Sequence, residues 1–419
     1  MSSTASNVRD DAICPFCALL CDDIVARSDS TGHPFDARGC GIANSRYSGI
    51  VTPMDEKCHI FGNPATHPEA IRTAAELVSK SEAMVITGMY TDVAGSRAAL
   101  KLAERKSAVI MSADGSAAHS QASRIQRSGG YLTTLSEIRN RADLIVMFGH
   151  GPIADCPRIP NMLRPPHRDD HPCARSTSLV MIGTGNGETP EGSISFECTP
   201  ERFGMLADAV SLGVQGKRHN HRLGFISNEQ IDRLTDMITD AEYPVVIWAE
   251  SDFDFPLGDL ALDSINQLIQ SVNVNGRCSG LVVSRSACEP TVNQVATWQF
   301  GKPLPLSFRT GRPDYFPAYH SFRSLEKRHD VDLIVWVGGL EVQPQIPESK
   351  ADAIVISHSR PTRSQLFIPI GIPGVHHDGH LFRTDQVVAM HIQRTVCSVL
   401  PSAEAILTSI LAKLDSPQC

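Results

Sequence analysis

The sequence predicts an α/β protein built on mostly parallel sheets. Short, continuous apolar runs alternate with stretches of helical period. Most of the runs end on glycine, and the whole alternation restarts past the middle of the chain. Strands that are apolar at every position, not at every second one, suit a sheet covered by helices on both faces. With 419 residues, 42% hydrophobic and only 20% charged, the chain has material for two or three packed cores and is neither disordered nor coiled coil.

The elements follow in order. Residues 69–80 carry a helical stripe (Ile71, Ala74, Ala75, Val78), and Ala83–Thr87 is a strand closing at Gly88. Gly95–Arg105 reads as a helix, Ala108–Met111 as a strand, and His119–Arg127 as a helix stopped by Gly129-Gly130. Asp143–Phe148 and Leu179–Ile182 are strands. The pattern restarts with a helix over Asn228–Thr239, a strand over Pro244–Trp248, a helix over Leu257–Ile269 and a short strand at Val272–Val274. Asp332–Val337 and Ala353–Ile356 are strands, and residues 402–414 form a closing amphipathic helix. Ala142–Gly149 and Val331–Gly338 are nearly the same octet, which with the restart predicts two consecutive α/β units. The expected division is 1–60, a cysteine-rich front domain short on helical period, then 61–220 and 221–419.

The net charge of −8 leaves no excess of cations to displace counterions from a polyanion, so nucleic acid is not an expected partner. No stretch approaches the ~18 uninterrupted apolar residues of a membrane span. The opening residues carry no apolar run and so no secretory signal, which makes a cytoplasmic protein the expectation.

Twelve cysteines are present. Eight are scattered and read as buried small hydrophobes or idle thiols. Cys14, Cys17, Cys21 and Cys40 are clustered in a C-x2-C-x3-C-x18-C pattern. Four thiolates are what a tetrahedral zinc or a [4Fe–4S] cube requires. Three closely spaced cysteines and a distant fourth favour the wider cube, while zinc, or no metal, remain alternatives. The run His376-His377-Asp378-Gly379-His380 offers metal-ligand chemistry but reads more simply as a solvated loop.

Cys14-Pro-Phe-Cys-Ala-Leu-Leu-Cys-Asp-Asp-Ile24, followed by Gly39-Cys-Gly-Ile-Ala43, resembles the front cluster-binding segment of the formylmethanofuran dehydrogenase B subunit, within the molybdopterin oxidoreductases. Gln294-Val-Ala-Thr-Trp-Gln299, Pro313 with Tyr315 and Pro317, Ile368-Pro-Ile-Gly-Ile-Pro-Gly374 and Arg383-Thr-Asp385 extend the resemblance in the same order. It implies a small iron–sulfur domain followed by Rossmann-like units, with Cys14, Cys17, Cys21 and Cys40 holding a [4Fe–4S] cluster. It also implies a molybdenum or tungsten bis-pterin site that interconverts carbon dioxide and formate.

The sequence departs from that pattern at the redox site. Where the family has a metal-binding cysteine followed by histidine, this chain reads Ser116-Ala117-Ala118-His119. Ala118 has no atom able to bind a soft metal, so the bis-pterin metal is not expected and His119 is catalytic only if redox activity persists. Phe148-Gly-His-Gly-Pro152 and Arg309-Thr-Gly-Arg-Pro-Asp-Tyr315 stand at pterin-holding positions, with Thr310 and Asp314 in place of expected cations; Arg309 and Arg312 are candidates to compensate. Cys156 is an alternative thiolate if the alignment slips. The expectation is a B-type subunit of a formyltransferase/hydrolase complex in tetrahydromethanopterin-linked oxidation of formaldehyde to formate. It would act as a scaffold among A-, C- and D-type subunits. The alternatives are an active pterin-dependent dehydrogenase component and a non-enzymatic iron–sulfur or zinc assembly module.

Overall fold

The computed structural model describes residues 8–27, 35–50, 57–113, 125–163, 177–184, 189–217, 223–341 and 343–416. In chain order the strands are β1 (Val8–Ala12), β2 (Ile24–Arg27), β3 (Phe35–Asp36), β4 (Cys58–Ile60), β5 (Asn63–Ala65), β6 (Met84–Tyr90), β7 (Val109–Ile110), β8 (Leu144–Phe148), β9 (Ser178–Gly183), β10 (Ile194–Glu197), β11 (Pro244–Ala249), β12 (Ser279–Val283), β13 (Leu306–Ser307), β14 (Leu333–Gly338), β15 (Asp352–Ser357), β16 (Leu366–Pro369), β17 (Gly379–Phe382) and β18 (Ala389–Ile392). The class is α/β with two main sheets dominated by parallel pairing.

The chain divides into two compact units. One comprises residues 1–16, 20–115 and 286–419, and the other comprises 17–19 and 116–285. Three domains in succession were expected, at 1–60, 61–220 and 221–419; instead one unit is inserted into the other, so the sequence boundaries near 60 and 220 do not coincide with those of the units.

In the inserted unit the sheet order is β10-β9-β8-β11-β12, every pair parallel. β8 and β11 are buried at every residue, as their unbroken apolar runs require. The helix Asn228–Asp240 begins in a capping box made by Ser227 and Gln230 and faces the core with Ile231, Leu234 and Ile238. The strand expected at 272–274 is instead the end of the helix Gly258–Val272. The Asn273 amide donates to the carbonyls of Ile269 and Cys278 and accepts from the Cys278 N–H, folding Val272–Cys278 into a tight turn. The strand, β12, comes after that turn.

In the enclosing unit the sheet order is β13-β7-β6-β14-β15-β16-β4-β5. β7, β6, β14, β15 and β16 are parallel, with antiparallel edges supplied by β13 and by the β4–β5 hairpin. The helices His67–Lys80, Val93–Arg105, Cys288–Phe300 and Ala403–Asp415 contribute buried residues to one core with these strands.

The front segment is an antiparallel sheet, β1-β2-β3, and the helix Gly41–Ile50. It has no separate core. Ala12, Phe16, Leu20, Ile24 and Tyr47 share one apolar cluster with Ala287, Leu340, Ile372, Val375, Leu381 and Ile392 of the same unit. Residues 58–60 and 63–65 belong to the main sheet, which also erases the expected boundary at 60.

Candidate functional site

The Cys14 N–H donates to the Cys21 carbonyl at 2.8 Å, closing the loop that carries Cys17. Arg38 and Gly39, at φ 50° and 78°, turn the chain left-handedly into the helix that Cys40 opens; its carbonyl accepts the Asn44 N–H at 2.9 Å. Cys14, Cys17, Cys21 and Cys40 are all buried thiols. From two turns along that helix, Tyr47 points a buried hydroxyl, with no other hydrogen-bond partner, at Cys14. Burial first, then the Cys14 and Cys21 thiols, raise that phenol well above its ordinary value. Phe35 stacks on the Tyr47 ring at 4.0 Å and Phe16 meets it edge-on at 4.8 Å, sealing the thiols in apolar surface.

A tetrahedral zinc with Zn–S of ~2.3 Å draws its sulfurs to roughly 3.8 Å from one another. Among the described residues no group of three or more His, Cys, Asp or Glu side chains is arranged to hold a single metal ion. That holds for the four front cysteines whether zinc or an iron–sulfur cluster is considered.

The second set of notable groups lies at the carboxyl ends of the parallel strands, at the two places where strand order reverses. Ligands of open α/β sheets dock in such crevices. In the inserted unit the reversal falls between β8 and β11. Gly149, at φ 86°, ends β8 against the Asp252 carboxylate, and a Cβ there would collide with it. Asp252 accepts the Gly151 N–H at 3.0 Å. Burial, and the facing Asp155 carboxylate, push Asp252 up to about 7 despite that bond. Asp155 in turn accepts the Ser251 hydroxyl at 2.7 Å.

In the enclosing unit the reversal falls between β6 and β14. Gly338 ends β14 against the Glu341 carboxyl, again with no room for a Cβ. Glu341 accepts from Trp336 Nε1 at 3.1 Å, and its other oxygen is buried without a partner. Burial pushes this carboxyl up to about 7, although Trp336 and Arg46 pull the other way. Asp92, buried at the end of β6, accepts the Gly95 N–H at 3.0 Å and caps the helix Val93–Arg105. Sequence reasoning missed Asp252 and Glu341. A lone acid after a strand gives no signal until the strand order is known.

Ala118 and His119 lie outside the described residues. Cys156 is fully buried and donates to the Ser284 carbonyl at 3.7 Å, the place of a packed thiol. Arg309 is engaged by the Asp330 carboxylate and carbonyl. Asp314 pairs with His320 at 3.1 Å. Of the scattered cysteines that are described, Cys58, Cys198, Cys278 and Cys288 are buried, with thiols raised by burial, and Cys397 is exposed. No helix among the described residues is long and apolar enough to cross a membrane.

No family model matches the chain. It is 23% identical over 406 residues to the B subunit of tungsten-containing formylmethanofuran dehydrogenase 2 from Methanocaldococcus jannaschii, covering 90% of this chain and 91% of that one. It is 20% identical over 363 residues to the B subunit of the formyltransferase/hydrolase complex Fhc from Methylorubrum extorquens, covering 85% of this chain and 96% of that one. A chain from the crystal structure of the Methylorubrum extorquens formyltransferase/hydrolase complex, FhcABCD, in complex with methylofuran shares the fold. The TM-score is 0.70 at 18% identity, over 85% of this chain and 98% of that one. The chain is thus similar, over most of its length, to the B subunits of formylmethanofuran dehydrogenase and of Fhc.

Proposed function

We propose that this chain is the B-type subunit of a formyltransferase/hydrolase complex in tetrahydromethanopterin-linked oxidation of formaldehyde to formate. It works as a cytoplasmic scaffold for A-, C- and D-type partners, with formyl transfer and hydrolysis carried by those partners. Nearly end-to-end similarity to such B subunits supports the assembly. The observation that carries the scaffold role is that the chain's own carboxyls, Asp252 and Glu341, abut the glycines that end β8 and β14, where strand order reverses. A pterin nucleotide brings phosphates, which call for cations or N–H donors, and these positions present carboxyls instead. The residues present therefore do not fit a bis-pterin group, in keeping with Ala118 and the engaged Arg309.

The front cysteines have the ligand chemistry of an inorganic cluster. Their donor set is four buried thiols, the loop closed by Cys14 and Cys21 carries Cys17, and Cys40 opens the adjacent helix. The Tyr47 hydroxyl stands ready to donate to a sulfur. In this reading Cys14, Cys17, Cys21 and Cys40 hold a [4Fe–4S] cluster that braces the front segment.

The test is anaerobic co-purification with metal quantification. The expected outcome is recovery of A-, C- and D-type subunits, iron and sulfide at the cluster ratio lost in Cys14→Ser, and no molybdenum or tungsten. Stoichiometric tungsten or molybdenum, or a chain that recovers no such subunits, overturns the scaffold assignment.

A further inference from the structure

The His376–His380 run does not act as a unit. His376 is buried, accepts the Ile372 N–H at 3.0 Å and stacks on His358 at 5.0 Å. Burial, and the neighbouring His358 and His377 rings, hold His376 down at about 4. His377 turns its Nδ1 to the Asp378 carbonyl. Of the three histidines His380 alone is exposed, and its neighbour comes from elsewhere in the chain. It stands directly opposite His391 in the antiparallel β17–β18 pair. Both side chains are exposed, and the rings lie nearly parallel with centroids 4.8 Å apart.

We propose that His380 and His391 form a two-imidazole binding site for a divalent ion of the copper–nickel–zinc group, with water completing the coordination. Imidazole nitrogens are borderline ligands that suit these metals. Residues directly opposite on antiparallel strands have Cβ atoms ~5 Å apart, so a modest ring rotation aims one nitrogen of each at a common point. The hairpin fixes that spacing in advance, which lowers the ordering cost of chelation. Two protein ligands make a weaker site than the usual three or four, and leave open positions for water.

A bound ion would join the two strands on their outer face. On the opposite face Gly379 packs against Asp92, and at the edge of β17 the Phe382 N–H donates to Thr291 Oγ1 at 2.8 Å. The ion would therefore staple a hairpin that covers the carboxyl end of β6.

The test uses the full, untagged chain and compares it with His380→Gln and His391→Gln by calorimetric titration with Cu2+, Ni2+, Zn2+ and Mg2+. Because the front thiols also take up soft metals, the readout is the difference between chains. Each variant should bind one Cu2+, Ni2+ or Zn2+ fewer than the parent, Cu2+ should bind tightest, and Mg2+ should give no difference. The difference should disappear in acid, where protons compete for the same lone pairs. Uptake unchanged in both variants, or a difference for Mg2+ as large as for Zn2+, overturns the proposal. Since both side chains are exposed, a fold check by circular dichroism should show the variants intact; if either variant is misfolded, protection of the parent's two imidazoles from acylation by Zn2+ decides in its place, and absence of protection refutes the site.

Discussion

The two parallel sheets have one plan, and the chain enters them at different strands. In the inserted unit β12-β11-β8-β9-β10 arise from one uninterrupted stretch, whereas in the enclosing unit the matching order β7-β6-β14-β15-β16 is drawn from two separated stretches. The correspondence reaches individual residues. Asp143, just before β8, accepts the N–H groups of Glu242 and Tyr243 at 2.7 and 2.9 Å, immediately before β11. Asp332, just before β14, does the same for Glu82 and Ala83 at 2.8 and 3.1 Å, immediately before β6. Each sheet buries a tryptophan on a glycine in the adjoining strand, Trp248 on Gly280 and Trp336 on Gly88. Each ends a central strand on a glycine pressed against a carboxyl. The difference lies in where that carboxyl comes from. Asp252 reaches across from the loop after the neighbouring strand, while Glu341 folds back from the loop after its own. The same strand end meets a carboxyl by two local routes.

If the sheets are equivalent, Trp248→Ala and Trp336→Ala should each cost about 3–5 kcal/mol in urea unfolding. A loss confined to one of them would break the parallel. The next largest effect concerns Asp252, whose ordinary value is 3.8 and which stands at about 7 in the fold. Between those values the folded chain keeps a proton that the unfolded chain has released, so stability falls as pH rises through the window and the penalty is complete above about 7. Asp252→Asn retains an acceptor for Gly151 and does not titrate. It should gain on the order of 2 kcal/mol over the parent at pH 8 and little at pH 4, and an unchanged pH–stability slope would refute the buried carboxyl. The smallest effect belongs to the strand ties: Asp143→Asn and Asp332→Asn should each cost about 1 kcal/mol, and equal costs sharpen the correspondence.

The sequence made the class legible because a doubly covered parallel strand must be apolar throughout, as β8, β11 and β14 are. It also showed the cysteine pattern and the shared octet, whose aspartates prove to be the strand ties. It did not show the insertion, since pairing of β6 with β14 leaves no local trace. The front segment looked like a domain because its own residues are too few for a core; the missing apolar partners, Leu340, Ile372 and Leu381, come from the far end of the chain. His391 was equally invisible as the neighbour of His380, because register across a hairpin is not a spacing along it.

Nesting one unit inside the other also constrains the order of events during synthesis. β6 and β7 leave the ribosome early, but β14, the partner that completes the middle of their sheet, follows only after residues 116–285. The inserted unit has all five of its strands in hand by Val283 and is free to close first. The enclosing unit waits with an apolar strand edge uncovered, which makes that interval the one in which a nascent chain is most exposed to self-association.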